Sequence, residues 1–147
     1  MTFAKIAGLM LSGMVLSAGA LAAPVSDTEL RTALIGSWVT PPDGNADKIP
    51  VPSRQIFQDD GTTQLYIYAT AECRIPAAAI EGRWSIKDGV LSTQVTGTTD
   101  SRLISIGQIQ KVVIVSVEQD RVVFDADNEL FVREKSATCY PAAARRI

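Results

Sequence analysis

Histidine is absent from the 147-residue chain, and cysteine occurs only twice. Without histidine there can be no Ser–His–Asp or Cys–His catalysis, no HExxH zinc motif and no histidine-based pH switch. Glycine-rich phosphate loops, the Gly-x-Ser-x-Gly elbow and the dinucleotide fingerprint are missing as well. The basic residues number 14 against 16 acidic ones, which leaves none of the basic excess that nucleic-acid binding requires. We therefore expect a protein without enzyme activity, catalytic residues, cofactor or nucleic-acid partner.

The only long apolar run lies at the N-terminus, where residues 1–22 have the pattern of a secretory signal peptide. Lys5 provides the positive start, an apolar region follows, and Ala20-Leu21-Ala22 is the small-x-small cleavage pattern. A retained membrane anchor is the alternative, but the apolar stretch is short for a span of about 20 residues. We expect cleavage after Ala22, with a periplasmic or secreted product and no later membrane span. Residues 23–147 are then one domain.

Cys73 and Cys139 are the only thiols. An exported protein meets an oxidising environment, which favours a disulfide between them. A reactive free thiol and a pair of unreacted cysteines are the alternatives. Two cysteines without histidine make a poor zinc site, so we expect no bound metal.

The alternation of apolar and polar residues predicts one short helix followed by strands. The helix covers residues 26–34, with Ser26 as N-cap and Glu29 completing a capping box. Beyond it, turn sequences recur about every 8 to 12 residues, and Asp88-Gly89 is the strongest of them because both positions tolerate positive φ. Eight strands are predicted, at residues 35–40, 54–58, 63–69, 80–87, 90–96, 109–118, 121–126 and 130–135.

Consecutive strands joined by tight turns predict an all-β fold with an antiparallel, up-and-down arrangement. Eight such strands can close into a barrel, which removes the exposed strand edges. An open β-sandwich is the alternative. The interior of an eight-stranded barrel can hold packed side chains or one small ligand.

Gly36-Ser37-Trp38, after a short helix, resembles the Gly-x-Trp motif of lipocalins and the wider calycin superfamily. The segments 57–62 and 82–86 are similar to those of short bacterial lipocalin-like domains. The resemblance implies that Trp38 closes one barrel end beneath an arginine of the last strand, and Arg133 stands at the matching place. Such a guanidinium–indole stack would be a structural cation–π contact. The resemblance also implies a disulfide that ties the C-terminal segment to the middle of the barrel.

Apolar side chains on the inner faces of the predicted strands could either fill the barrel or line a cavity. Both interpretations stay open, because small barrels are often packed solid. If a cavity is present, it would take a small apolar ligand. The ligand-binding candidates are Leu65, Ile67, Trp84, Ile86, Leu91, Val113, Val115 and Phe124.

The sequence thus predicts an exported, non-enzymatic binding protein for a small apolar ligand. The alternative is a protein-binding factor, such as an inhibitor of a protease or a cell-wall hydrolase. Its contacts would come from the segment 25–29, from the proline-rich loop 41–52, or from Tyr66 and Tyr68 on an outer face. Carboxylate pairs such as Asp59-Asp60 fall in predicted turns, where we expect them to form the turn rather than to catalyse or bind metal.

Overall fold

The computed structural model describes residues 25–41, 52–69 and 73–139. The predicted signal peptide and most of the proline-rich loop therefore lie outside the described residues. The described part contains one helix and eight strands. They are α1 (Asp27–Leu34), β1 (Gly36–Val39), β2 (Ser53–Phe57), β3 (Thr62–Tyr68), β4 (Pro76–Lys87), β5 (Val90–Thr98), β6 (Ile109–Val117), β7 (Arg121–Ala126) and β8 (Glu129–Lys135).

The eight strands form one closed barrel in chain order. Every pairing is antiparallel, and β8 returns to pair with β1. This closure confirms the predicted up-and-down barrel and excludes the open sandwich. β1 is the shortest strand, and its ladder with β8 consists of Trp38↔Lys135 and Val39↔Glu134.

The observed boundaries follow the predicted ones closely, with one longer strand. Ser26 is the N-cap, and its Oγ accepts a hydrogen bond of 3.2 Å from the Glu29 N–H. β4 begins at Pro76, four residues before the predicted start, because Pro76–Ala79 continues the ladder with β3. Proline is tolerated there because it is the first residue of the strand.

Two hairpin turns have left-handed backbone at both central positions. In the β4–β5 turn, Asp88 and Gly89 have φ of 53° and 75°. In the β7–β8 turn, Asp127 and Asn128 have φ of 53° and 67°. Glycine, asparagine and aspartate adopt this conformation most readily, and turns of this type match the twist of antiparallel strands. The short sequences of these two turns are therefore suited to their conformation.

α1 covers one end of the barrel. The Asp27 carboxylate accepts the backbone N–H groups of Asp88 at 2.8 Å and Gly89 at 2.9 Å, which fastens the helix to the β4–β5 turn. Leu30 and Leu34 form the buried face of the helix. No helix in the described ranges combines the length and the apolar content that a membrane span requires.

Buried apolar side chains form two clusters. The larger joins α1 to the end of the barrel that it covers and consists of Leu30, Leu34, Trp38, Phe57, Trp84, Leu91, Ile114, Val122 and Phe124. The smaller lies toward the opposite end and consists of Ile80, Val95 and Ile104, with Leu65 and Ile67 packed against it. The barrel is therefore filled by large side chains at one end and by fewer, smaller ones at the other.

Cys73 and Cys139 form a disulfide, with their Cα atoms 6.0 Å apart. This confirms the predicted pairing and excludes both free-thiol alternatives. The bridge joins the segment before β4 to the segment after β8. It therefore holds the chain that leaves the last strand against the barrel.

We predict that the double substitution Cys73→Ser and Cys139→Ser lowers the free energy of unfolding by about 2–5 kcal/mol, because the unfolded chain loses a covalent loop constraint. Urea unfolding followed by tryptophan fluorescence measures the change. Wild-type protein in reductant is the matched control and should unfold near the double variant. A double variant as stable as the oxidised wild type would contradict the prediction.

Candidate functional site

The barrel interior is open between and around the two clusters. Two spaces lie there, of about 210 Å³ and 140 Å³. Both are lined by Gln55, Leu65, Thr93 and Gln110, so they adjoin one another. The structure thus contains an internal cavity with two parts. We call the larger part the upper space and the smaller part the lower space.

The upper space, of 210 Å³, lies toward the end opposite α1. Leu65 and Ile67 of β3 form part of its wall, together with the smaller apolar cluster. Leu103 and Ile104 belong to the β5–β6 connection and also line it. Ile104 is buried and Leu103 is 56% exposed, so this connection lies where the cavity meets the surface.

The lower space, of 140 Å³, lies deeper, against the larger cluster. Phe124 and Phe131 are cross-strand partners in β7 and β8, and their rings stack with centroids 5.1 Å apart. Leu91 and Val112 complete the apolar wall. Among the described residues that line either space, Arg133 is the only charged one.

Arg133 extends from β8 and is almost completely buried, with 8% of its surface exposed. Its Nη2 donates a hydrogen bond of 3.1 Å to the Ser53 Oγ. Its Nε and Nη1 are buried and have no hydrogen-bond partner among the described residues. Burial lowers the pKa of the Arg133 guanidinium to about 10, so the group remains charged at neutral pH.

Arg133 does not stack on Trp38, and the stack predicted from the lipocalin resemblance is wrong. The cation over the Trp38 ring is Lys135, whose Nζ lies 5.4 Å from the ring centroid. The register of the barrel seam is the reason, because Trp38 pairs directly with Lys135. Arg133 lies two residues before Lys135 on β8 and therefore farther from α1. It lines the lower space instead.

Trp38 itself is fully buried at the end that α1 covers. Its Nε1 donates a hydrogen bond of 2.7 Å to the carbonyl of Leu34, the last residue of the helix. Gly36 between them has φ of +131°, which a side chain would strain, and a Cβ there would lie 3.0 Å from the Lys135 side chain. The Gly-x-Trp motif therefore connects the end of the helix to the barrel.

Four of the eight predicted ligand residues line the cavity. Leu65 and Ile67 line the upper space, and Leu65, Leu91 and Phe124 line the lower one. Trp84 and Ile86 lie instead at the α1 end, Trp84 within the larger cluster and Ile86 packed against it. Their inward direction was predicted correctly, but neither lines the upper or the lower space.

Val113 and Val115 lie on the outer face of β6, so their predicted place inside the barrel is wrong. They are 48% and 54% exposed, whereas Val112 is partly buried and Ile114 is buried against the larger cluster. β6 is apolar on both faces, and alternation alone did not identify the inner one. Lys111 could have identified the outer face, because a lysine side chain normally points to solvent. Val113 and Val115 follow it at two and four residues and therefore lie on the same face of the strand.

A different arginine stacks on a tryptophan. The Arg31 guanidinium of α1 lies 4.4 Å from the Trp84 ring centroid and donates a hydrogen bond of 2.8 Å to the Asp59 carbonyl. Trp84 Nε1 donates to the Gln58 carbonyl at 3.0 Å, and its ring meets Phe57 edge-on at 5.2 Å. The predicted type of contact is present, but it is made by the helix rather than by the last strand.

The Asp60 carboxylate in the β2–β3 turn has a structural role. Thr62 donates its Oγ1–H and its N–H to the Asp60 Oδ1, at 2.6 Å and 2.9 Å. These hydrogen bonds lower the pKa of Asp60, the side-chain bond most strongly. Within the described ranges, no group of three or more Cys, Asp or Glu residues could hold a metal ion.

A closed eight-stranded antiparallel barrel, with a helix over one end and a cavity inside, defines a lipocalin-like fold. A lipocalin-like protein from Bacteroides uniformis is similar in structure, with a TM-score of 0.52, 13% identity, and coverage of 71% of this chain and 99% of that one. A second protein from Bacteroides uniformis, solved by NMR, has a TM-score of 0.50, 12% identity, and coverage of 73% and 92%. No known family model and no curated protein matches the sequence. At these identities the likeness establishes the fold alone.

We predict that Arg31→Ala lowers the free energy of unfolding by about 1–2 kcal/mol, because the Trp84 ring loses its cation–π partner and its cover. The tryptophan emission of the folded variant should also shift to longer wavelength. Lys87→Ala, which removes an exposed cation from the strand that carries Trp84, is the control and should change neither quantity. An unchanged emission maximum and unfolding midpoint in Arg31→Ala would show that the stack does not stabilise the closed end.

Proposed function

We propose that the chain is an exported, non-enzymatic binding protein that holds a small apolar ligand inside the barrel. The observation that carries this proposal is the internal cavity. Its walls are mainly apolar, and the described residues that line it include few polar side chains: Gln55, Thr63, Thr93, Gln110 and Arg133. Ligand sites in proteins have this composition, and the mouths of barrels are common places for them.

The size of the cavity favours a small ligand. Each space alone is smaller than the roughly 300 Å³ at which typical ligand sites begin. A ligand that occupies both would pass between Leu65 and Thr93, which line both spaces.

Two further observations support the other parts of the proposal. The Cys73–Cys139 disulfide is typical of proteins that fold in an oxidising compartment, which supports export to the periplasm or beyond the cell. The absence of histidine removes the commonest general base and the usual activator of a nucleophile. Binding without turnover is therefore the simplest use of this interior.

We predict that Thr93→Trp weakens ligand uptake, because the larger side chain fills the junction of the two spaces. Displacement of the neutral dye N-phenyl-1-naphthylamine by aliphatic and small aromatic compounds measures uptake. We expect the dye affinity to fall at least about tenfold, a change of about 1.4 kcal/mol in binding free energy.

Thr96→Trp is the matched control, since it places the same side chain at an exposed position of the same strand. It should bind the dye as the wild type does. Wild-type protein that neither enhances the fluorescence of the dye nor binds any compound of the panel would contradict the proposed function.

One observation favours the alternative, a protein-binding factor. Val113 and Val115 are exposed on the outer face of β6, and Leu130 of β8 is exposed on the far side of Asp125, which pairs with both Val113 and Leu130. Of the two tyrosines predicted to be exposed, Tyr68 is buried, which weakens that part of the alternative. Capture of a secreted hydrolase by wild-type protein, lost in Leu130→Lys but retained in Thr93→Trp, would favour this function over the first.

A further inference from the structure

We propose that the outer face of β6 and β7 is an interface between two copies of the chain, related by a two-fold axis that exchanges Lys111 and Asp125. This inference does not depend on the proposed function, because the face lies outside the cavity. Two observations support it. The outer face of β6 is apolar, and a hollow beside it is lined by a cation and by carboxylates that do not pair with one another.

The outer face of β6 is unlike that of a strand that meets only water. Ile109, Val113 and Val115 are all exposed on it, and Lys111 is the charged residue between them. The neighbouring β4 has the usual pattern, since its exposed outward residues from position 81 to 87 are glutamate, arginine, serine and lysine. Antiparallel sheets normally keep polar side chains on the face that meets solvent. Grouped apolar side chains on such a face therefore indicate an interaction surface.

The charges of this face point to a second copy of the chain as the partner. A surface hollow of about 330 Å³ lies beside Val113. Lys111 lines it from β6, and Asp125 and Asp127 line it from β7 and the turn that follows. None of these three side chains forms a hydrogen bond or an ion pair with another described residue. The face thus presents both signs of charge, and an isologous two-fold interface requires such a self-complementary surface.

The strand register predicts how the two copies meet. Val113 pairs with Asp125, and Lys111 lies two residues before Val113 on the same face. With about 4.8 Å between strands and about 3.3 Å per residue, the Cα atoms of Lys111 and Asp125 are about 8 Å apart. A two-fold axis midway between them places each Lys111 opposite the Asp125 of the other copy. The axis then passes close to Val113, so this residue packs on its own counterpart.

The residues beyond the two ion pairs are apolar as well. Ile109 lies two residues beyond Lys111, and Leu130 is the β8 partner of Asp125. The rotation that exchanges Lys111 with Asp125 brings Ile109 of one copy toward Leu130 of the other, and both side chains are exposed. Because the outer surface of a barrel is convex, the contact is small. We therefore expect a weak dimer, with a dissociation constant of about 1–100 µM.

The oligomeric state of the exported wild-type protein tests the interface directly. Sedimentation equilibrium from about 1 µM to about 500 µM covers the expected range of dissociation constants. We expect a monomer–dimer equilibrium. A protein that stays monomeric at every concentration would overturn the inference and leave this face to a partner of another kind.

Lys111→Glu and Asp125→Lys test the proposed ion pairs. Each variant alone places like charges opposite one another across the axis, so its dimer dissociation constant should rise at least about tenfold. An equimolar mixture of the two variants has opposite charges at both contacts and should form a mixed dimer about as tightly as the wild type. Recovery in the mixture also shows that both variants are folded.

Lys87→Glu reverses an exposed lysine on β4 and is the matched control, so it should dimerise as the wild type does. Single variants at positions 111 and 125 that dimerise like the wild type would show that the copies meet elsewhere. A mixture that remains monomeric would contradict the exchange of the two residues across the axis.

Val113→Lys tests the position of the axis. The substitution brings two cations together where Val113 meets its counterpart, so the dissociation constant should again rise at least about tenfold. Thr96→Lys adds the same charge to an exposed position of β5 and is the control, with an unchanged dissociation constant expected. A Val113→Lys variant that dimerises like the wild type would exclude this residue from the interface and refute the proposed geometry.

Discussion

Closure of the sheet between β1 and β8 is the constraint on which the interior depends. This seam has the shortest ladder of the barrel, yet its register sets the position of every side chain on β8. Because Trp38 pairs with Lys135, the lysine covers the tryptophan at the α1 end, and Arg133 faces the lower space. A shift of two residues in this register would bring Arg133 to the tryptophan and remove the one charged side chain from the described cavity lining. The Ser136 N–H, which donates to the Ser37 carbonyl at 3.0 Å, helps to hold the register.

The two ends of the barrel differ because large side chains are confined to one of them. Trp38, Phe57 and Trp84 meet beneath α1, and the helix supplies leucines that complete the filling. Toward the other end the inner positions carry smaller groups, and Gly82 contributes no side chain at all. A Cβ at Gly82 would lie 2.8 Å from the Gln94 carbonyl oxygen, so the close approach of β4 and β5 itself requires glycine. That glycine, where the register of β4 shifts, also lines the upper space.

The sequence predicts the helix, the eight strands and their order because these follow from local signals, and it predicts the disulfide because only two cysteines are present in a chain with an export signal. Capping at Ser26, the turn residues and the period-two alternation are properties of a few neighbouring residues. The site is less accessible to such reasoning. Alternation gives the direction of Trp84 but not its height along the barrel axis, which depends on how far each strand is offset from the next. In β6 even the direction is ambiguous, and only Lys111 distinguishes the two faces. The role of Arg133 depends on the seam register, which no local pattern encodes.

The disulfide also determines how the protein responds to a pulling force. It joins Cys73 to Cys139 across a sequence separation of 66 residues, a segment that contains β4 to β8. Tension applied at the two chain ends passes through β1 to β3 and then directly across the bridge. The five strands inside the covalent loop are bypassed and cannot be extended, although they lose neighbours once β1 and β3 are pulled away. Reduction would release about 220 Å of additional chain, at roughly 3.3 Å per extended residue. In the oxidised protein, tension can therefore extend β1 to β3 but not β4 to β8. The cavity is lined by residues of both groups of strands.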